Sequence, residues 1–350
     1  MRFSTALVTS AAVLVTAHPG HDHSHEILER REFISNTKRS DLSHCAAKLK
    51  ARGVEQRSTQ RRKALADARS KRGILERDVS DINKSHHSSN AYTADTPLDV
   101  IFSSNTSCLL SPEVTEGPYY VSGEYIRQDI TEDEQGVPLT LDIAVFDVDT
   151  CDPVTDAWVE IWHCNSTGVY SGVASGADYT EAPENLATTF LRGFQQTDTD
   201  GAISFDTIYP GHYTGRTQHI HVMVHPDATP RENQTIADTT ASHVGQIFFD
   251  QDLSDQVETT SPYSTNTQEV TTNAEDMLIS ESLATGDAIV EYVLLGESVS
   301  DGVLAWISFG INTTYTRTAS AAATYYEGGG VENNSTLGGG PGGPGAPAKH

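Results

Sequence analysis

"FLRGFQQTDTDGAISFDTIYPGHYTGRTQHIHV", residues 190–222, decides the fold. It contains three short runs rich in apolar residues: FLRGFQQTD (190–198), GAISFDTI (201–208) and HIHV, which opens HIHVMVH (219–225). Asp/Gly and Pro/Gly turn residues separate them, so each run reads as a strand. Upstream, LTLDIAVFDVDT (139–150) alternates, with Leu141, Ile143, Val145 and Asp147 on one side and Phe146 and Val148 on the other. AWVEIWHC (157–164), VGQIFFD (244–250), AIVEYVLLGES (288–298) and GVLAWISFGINT (302–313) continue the series. No convincing helix lies between these runs, which favours an all-β sandwich over βαβ units.

Within this strand pattern, His219 and His221 are two apart and share one face, while Ile220 and Val222 point into a core. Tyr213 lies just upstream in the Pro/Gly turn, and Tyr170 follows the strand at 157–164 after a Gly turn. The histidine pair alone fits either a metal site or a polar strand face. With two tyrosines added, the set suits a ferric ion: imidazole binds many first-row metals, and phenolate is a hard anionic donor. Zinc prefers Cys, His and carboxylates. Arg216, three residues before His219, is a candidate for holding an anionic substrate or charge that develops during reaction, or for an ordinary salt bridge.

Composition narrows the partners. The formal net charge is −25, which argues against nucleic acid. Residues 1–90 carry 17 Lys/Arg against 10 Asp/Glu, and residues 91–350 carry 6 against 38. Residues 1–17 read as a signal peptide, with Arg2 before a short apolar run, so secretion is expected. No other stretch is long enough to span a membrane. Seven Asn-x-Ser/Thr patterns, at Asn83, Asn105, Asn165, Asn233, Asn312, Asn333 and Asn334, suit a secreted glycoprotein. Cys45, Cys108, Cys151 and Cys164 suit disulfides, with three pairings open. Strand rise separates Cys151 from Cys164 by about 20 Å in a simple hairpin, which disfavours that pair.

Residues 18–40 form a His-rich polar leader. Residues 41–80 read as helical, with Ser40 or Asp41 as cap, Leu42, Cys45 and Leu49 on one stripe, and Gly53 and Gly73 as breaks. This basic segment suits docking or a dimer contact, and its dibasic pairs suit removal as a pro-segment. The catalytic domain is expected over 101–320. The Gly/Pro-rich tail at 326–350 cannot build a core and is expected to be disordered.

Four blocks carry a family resemblance: EGPYY (116–120), AWVEIWHCNSTGVYSG (157–172), the stretch at 190–222, and GQIFFD (245–250). Together they resemble the intradiol ring-cleavage dioxygenases, non-haem Fe(III) enzymes that open catechols, and most of all their secreted fungal branch. The resemblance implies a β-sandwich of mixed topology and iron ligands at Tyr170, Tyr213, His219 and His221. It also implies a catalytic Arg216 and Gln246, with Tyr213 taking a substrate proton. Glu116 to Pro118 would border the substrate cavity, and Tyr119 and Tyr120 would line it. The substrates implied are a small aromatic diol and O2, and the product is a cis,cis-muconate; catechol-type relatives are homodimers. Cys164 stands where many relatives have a small residue, and a disulfide is one explanation. A glycan on Asn165 would crowd the site entrance. An iron-free sandwich that binds aromatics and a zinc hydrolase built on the two histidines are the rival functions.

Overall fold

A computed structural model describes residues 42–70, 107–109, 117–174, 182–276, 278–279, 288–326 and 328–333. The leader (1–40), the proposed cap at 40–41, Glu116 and the last residues (334–350) lie outside the described set. Strands β1 (Ser107–Leu109), β2 (Val121–Ser122), β3 (Glu124–Tyr125), β4 (Pro138–Asp147), β5 (Trp158–Trp162), β6 (Arg192–Gln196), β7 (Ala202–Ile208) and β8 (His219–His225) come first. Then follow β9 (Thr235–Ile236), β10 (Thr240–Ala241), β11 (His243–Phe248), β12 (Glu291–Leu294), β13 (Val303–Ile311), β14 (Arg317–Thr318), β15 (Ala323–Tyr326) and β16 (Gly329–Glu332).

Two sheets form the sandwich that the alternation predicts. One runs β1-β13-β4-β7, with β12 also on β13; the other runs β11-β8-β5-β6. The first is mixed, since β13 pairs with β4 in parallel and β4 with β7 antiparallel. Leu141, Ile143 and Val145 of β4 meet Val159 and Ile161 of β5 and Ile220, Val222 and Val224 of β8 in one core. Period-two alternation sends those residues inward and leaves His219, His221, Met223 and His225 on the opposite face of β8. That outer face is itself covered, by Tyr120, Val121, Tyr170, Tyr213 and neighbours. Every residue of β8 and β11 is therefore buried.

The helical segment splits as the glycine suggests. A 3-10 turn leads into α1 (Ala46–Ala51), and α2 (Val54–Ser70) follows a break at Gly53, whose φ is +66°. The expected stripe is real: Leu42, Cys45 and part-buried Leu49 pack on Ala144, Phe146 and Cys151 behind β4. Val54, the first residue of α2, joins the same cluster, Leu65 and Ala66 pack with Val293, Leu304 and Trp306, and arginines make the polar contacts of α2. Arg61 makes a two-armed contact with Asp142 at 2.7 and 3.1 Å, Arg57 pairs with Asp200 at 2.8 Å, and Arg69 pairs with Asp206. Arg62 lies 4.8 Å over the Trp306 ring. Arginines of the basic first part of the chain thus pair with carboxylates of the acidic second part. Single exposed pairs contribute little, but several in one network hold a helix in place.

Cys45 and Cys151 are joined as a disulfide across 106 residues, and Cys164 is a buried free thiol. The expected disulfide at Cys164 is thereby corrected. Its Sγ donates to the Gly211 carbonyl at 3.3 Å, and burial pushes the thiol up to about 12, so it serves packing. Closing a loop of that length stabilises the fold by about 3–5 kcal/mol through the unfolded chain.

Two further differences have local causes. A helix, α3 (Gln251–Glu258), follows β11 where no helix is expected. Asp250 caps it by accepting from the Asp252 amide at 2.9 Å, and Leu253 and Val257, four apart, bury one face. Strand pairing also extends to Glu332, because β16 pairs with β15, so ordered structure runs past 326 into the glycine-rich stretch.

Candidate metal centre

Trp162 ends β5, and the chain turns through residues 163–173. Asn165 organises that turn: its Oδ1 accepts from the amides of Thr167 and Val169, each at 3.0 Å. Tyr213 lies on a second turn, closed by the Arg216 amide donating to the Tyr213 carbonyl at 3.1 Å. The two turns touch backbone to backbone. A Cβ on Gly168 would sit 2.4 Å from the His212 carbonyl oxygen, and one on Gly211 would sit 2.4 Å from that of Asn165. Only glycine permits this approach, which brings Tyr170 and Tyr213 to within 5.9 Å, centroid to centroid.

His219 opens β8. Its Nδ1 lies 2.6 Å from the Thr217 carbonyl oxygen. A carbonyl only accepts, so Nδ1 carries the proton and Nε2 presents a lone pair. The Tyr170 and Tyr213 hydroxyls stand 3.4 and 3.3 Å from that same Nε2. His221 is 4.9 Å from His219, ring to ring, and its plane stacks on Trp162 at 4.7 Å and 6°. All four candidate ligands are buried.

Burial raises the Tyr170 hydroxyl well above its ordinary range and raises Tyr213 too, the latter against the pull of Arg216. Burial, with Arg216, holds His219 well below its ordinary value. Two phenols that cannot ionise alone, beside imidazole kept neutral, form a donor set that a hard, highly charged cation would complete. Among the described residues, no metal-sized group of three His, Cys, Asp or Glu donors includes His219 or His221. A separate group, His44, Cys45 and Cys151, lies within 4.8 Å, but its two sulfurs are already joined as a disulfide and offer no thiolate.

Arg216 is buried and fully engaged on one side. Nε donates to Asp276 Oδ2 at 2.9 Å and Nη2 donates to Gln246 Oε1. Arg216 Nη1 and Gln246 Nε2 have no hydrogen-bond partner among the described residues. The salt-bridge reading of Arg216 is thus met by Asp276, which balances its charge and leaves Nη1 without a partner among the described residues. The Thr217 amide also donates to Asp276 at 2.9 Å. Residues 266–273 lace over the Tyr213 turn, with Asn266 donating to the His212 carbonyl at 2.9 Å and the Gly215 amide to Thr271 at 2.9 Å.

Register explains why these groups meet. Gln246 pairs with His221, His221 with Trp162, and Trp162 with Arg192, giving one row across the outer face of the second sheet. Tyr119 stacks on Tyr170 at 4.4 Å and 18°, and Tyr120 is tilted against Trp162 at 5.2 Å. Sequence reasoning missed Trp162, Arg192 and Asp276. Strand register could have found the first two; Asp276 has no local signal, being one acid among many.

Behind the row lies Glu124, 3.8 Å from Arg192 and buried. Burial pushes its carboxyl up to about 8, against the pull of Arg192. The pair therefore sits at the edge of ion-pair range, with the acid uncharged at neutral pH and the guanidinium cationic. In the unfolded chain this acid ionises near 4.5. Its contribution to stability is fully present below that value and is lost as pH rises through about 8. Glu124→Gln should remove that loss. Thermal unfolding at pH 5, 7 and 9 should show the wild-type advantage over the variant shrinking with rising pH; a constant difference counts against a protonated Glu124.

Comparisons with known proteins point to one family. The family described as Dioxygenase matches residues 115–279, which contain every candidate site residue. Catechol 1,2-dioxygenase 1 of Acinetobacter lwoffii is 32% identical over 141 residues, 34% of this chain and 43% of that protein. A catechol 1,2-dioxygenase of Pseudomonas sp. (strain EST1001) is 33% identical over 108 residues, 29% and 32% of the two chains. The chain thus spans less than half the length of these curated relatives. A solved intradiol ring-cleavage dioxygenase from Tetranychus urticae is 31% identical with a TM-score of 0.50, covering 61% of this chain and 98% of that one.

Proposed function

Because this chain belongs to the intradiol ring-cleavage dioxygenases, a family of non-haem iron enzymes, we propose that it cleaves a catechol-type diol between its two hydroxylated carbons with O2. The product is a cis,cis-muconate-type diacid that keeps both oxygen atoms. Tyr170, Tyr213, His219 and His221 hold Fe(III). One observation carries the assignment: both tyrosine hydroxyls lie within 3.4 Å of the single His219 nitrogen left free to ligate.

The ferric ion supplies a Lewis-acid and redox centre at which the diol and O2 react. The side chains do the rest. His219, locked by the Thr217 carbonyl, keeps its Nε2 lone pair aimed inward. Trp162 holds the His221 ring by stacking. Tyr213 Oη, held as phenolate when iron is bound, would accept one proton from the incoming diol. The free arm of Arg216 and the Gln246 amide donate to substrate oxygen as charge develops there, in a site closed to water. Tyr119, stacked on Tyr170, would flank a bound aromatic ring.

The relatives named above come from bacteria and from Tetranychus urticae rather than from the expected fungal branch, and a secreted enzyme is the placement we favour. The apolar leader supports it, and so does the Cys45–Cys151 disulfide, which an oxidising compartment sustains. Among the described residues no helix is long and apolar enough to cross a membrane. A homodimer is proposed from the resemblance alone.

Anaerobic titration of the iron-loaded protein with catechol, hydroxyquinol and protocatechuate, followed by O2, tests the function. The expected result is uptake of one O2 per diol and a product mass equal to their sum. A protein that binds the diol but takes up no iron and consumes no O2 would leave the aromatic-binding alternative standing.

A further inference from the structure

Arg192 is a buried cation to which the proposed chemistry gives no task. It is 0% exposed and ends the cross-strand row of Gln246, His221, Trp162 and Arg192. Its Nε donates to the Ser171 carbonyl at 3.1 Å and to Ser171 Oγ at 2.9 Å. Its Nη2 donates to the Tyr119 carbonyl at 2.7 Å and again to the Ser171 carbonyl at 2.6 Å. The guanidinium carbon lies 5.9 Å from the centre of the Tyr170 ring.

These contacts converge on one object. Ser171 follows Tyr170 in the chain, and Tyr119 is the ring stacked on Tyr170. A single planar group therefore grips the backbone next to a candidate ligand, the backbone of its stacking partner and the face of the ligand itself. A simple buried ion pair would look different. Glu124 Oε1 and Oε2 have no hydrogen-bond partner among the described residues, so the acid does not set the guanidinium's orientation; the Ser171 and Tyr119 oxygens do. A rigid fork of donors can reach all of them at once, and a lysine ammonium cannot.

We propose that Arg192 is a positioning residue for the candidate iron centre: acting through Ser171 and the Tyr119 carbonyl, it fixes the Tyr170 ring and the Tyr119 ring stacked on it. The effect falls on ligand orientation and on the aromatic side of the substrate space. This rests on the assignment of Tyr170 as an iron ligand.

The test compares wild type, Arg192→Lys and Glu124→Gln, each loaded with Fe(III), by iron content, visible spectrum and steady-state kinetics with catechol. Near-ultraviolet circular dichroism of the iron-free proteins is recorded in parallel. Arg192→Lys should keep its iron, shift the tyrosine-to-iron absorption band, and lose about 10- to 100-fold in kcat/KM, mostly through KM. Its iron-free dichroism should show the Tyr119–Tyr170 stack disturbed. Glu124→Gln leaves the fork intact and should leave band and KM unchanged. A merely structural Arg192 would lower Tm and leave band, KM and dichroism as in wild type, which overturns the proposal. An equal band shift in Glu124→Gln also overturns it, because the neighbouring acid would then matter and not the fork. If Arg192→Lys does not fold, Ser171→Ala, which removes the Oγ contact with Arg192 together with the Oγ bond to the Phe190 carbonyl, should move the band in the same direction; an unmoved band there counts against Arg192. A wild-type protein that takes up no iron sinks the ligand assignment instead, while the iron-free dichroism still decides whether Arg192 orders the stack.

Discussion

Tyr170→Phe is expected to erase most of the visible colour of the iron-loaded protein and to lower catechol turnover by about 10³-fold, some 4 kcal/mol of transition-state stabilisation. Colour in such a site comes from charge transfer between phenolate and ferric ion, so removing one phenolate removes its band. The substitution deletes one oxygen and no packing volume, and the ring stays stacked under Tyr119 at 4.4 Å. Burial makes the effect cleaner. A phenol so deeply buried has no reason to ionise unless a cation takes the charge, since burial alone raises it well above its ordinary range. Absorbance from 400 to 700 nm (roughly the span where such charge transfer falls), iron content and O2 uptake check the outcome together. Full colour and full turnover in Tyr170→Phe would remove this residue from the metal's coordination.

The second large effect is expected at a position remote from the iron ligands in sequence. Asp276 accepts from Arg216 Nε and from the Thr217 amide, each at 2.9 Å, and both members of the ion pair are completely buried. Asp276→Ala leaves a buried guanidinium without its counter-charge, which costs about 3–5 kcal/mol of stability. Asp276→Asn keeps the shape and one acceptor, so it should fold. It should still lose about 10²- to 10³-fold in kcat, because the free arm of Arg216 is then no longer held where charge develops. Iron content should be unchanged in Asp276→Asn, since this carboxylate acts through Arg216 and the Thr217 amide. Steady-state kinetics with iron analysis on the same sample separate the two losses. Unchanged kcat in Asp276→Asn would mean that Arg216 is positioned by Gln246 and the turn alone.

Period-two alternation at 139–150 and 219–225 was enough to assign a sandwich, because apolar residues at every second position can be buried only on one face of a strand. The same rule put His219 and His221 together. The tyrosines entered the candidate set by their place beside turns, and glycine supplied the mechanism, since only it lets the two turns approach so closely. The capped helix after β11 escaped notice because eight residues give only two apolar positions, Leu253 and Val257.

What the chain's residue order determined by itself was therefore local: strand faces, turn positions, the break at Gly53 and the types of donor available to a metal. Tertiary structure alone decided which groups meet. Register across β11, β8, β5 and β6 aligned Gln246, His221, Trp162 and Arg192, although they are spread over more than eighty residues. It also joined Cys45 to Cys151, left Cys164 a thiol, and chose Asp276 from a crowd of acids as the partner of Arg216. The physical reason is that periodicity reports which way a side chain faces, whereas pairing depends on strand order and loop paths, which are fixed only when the whole core is packed.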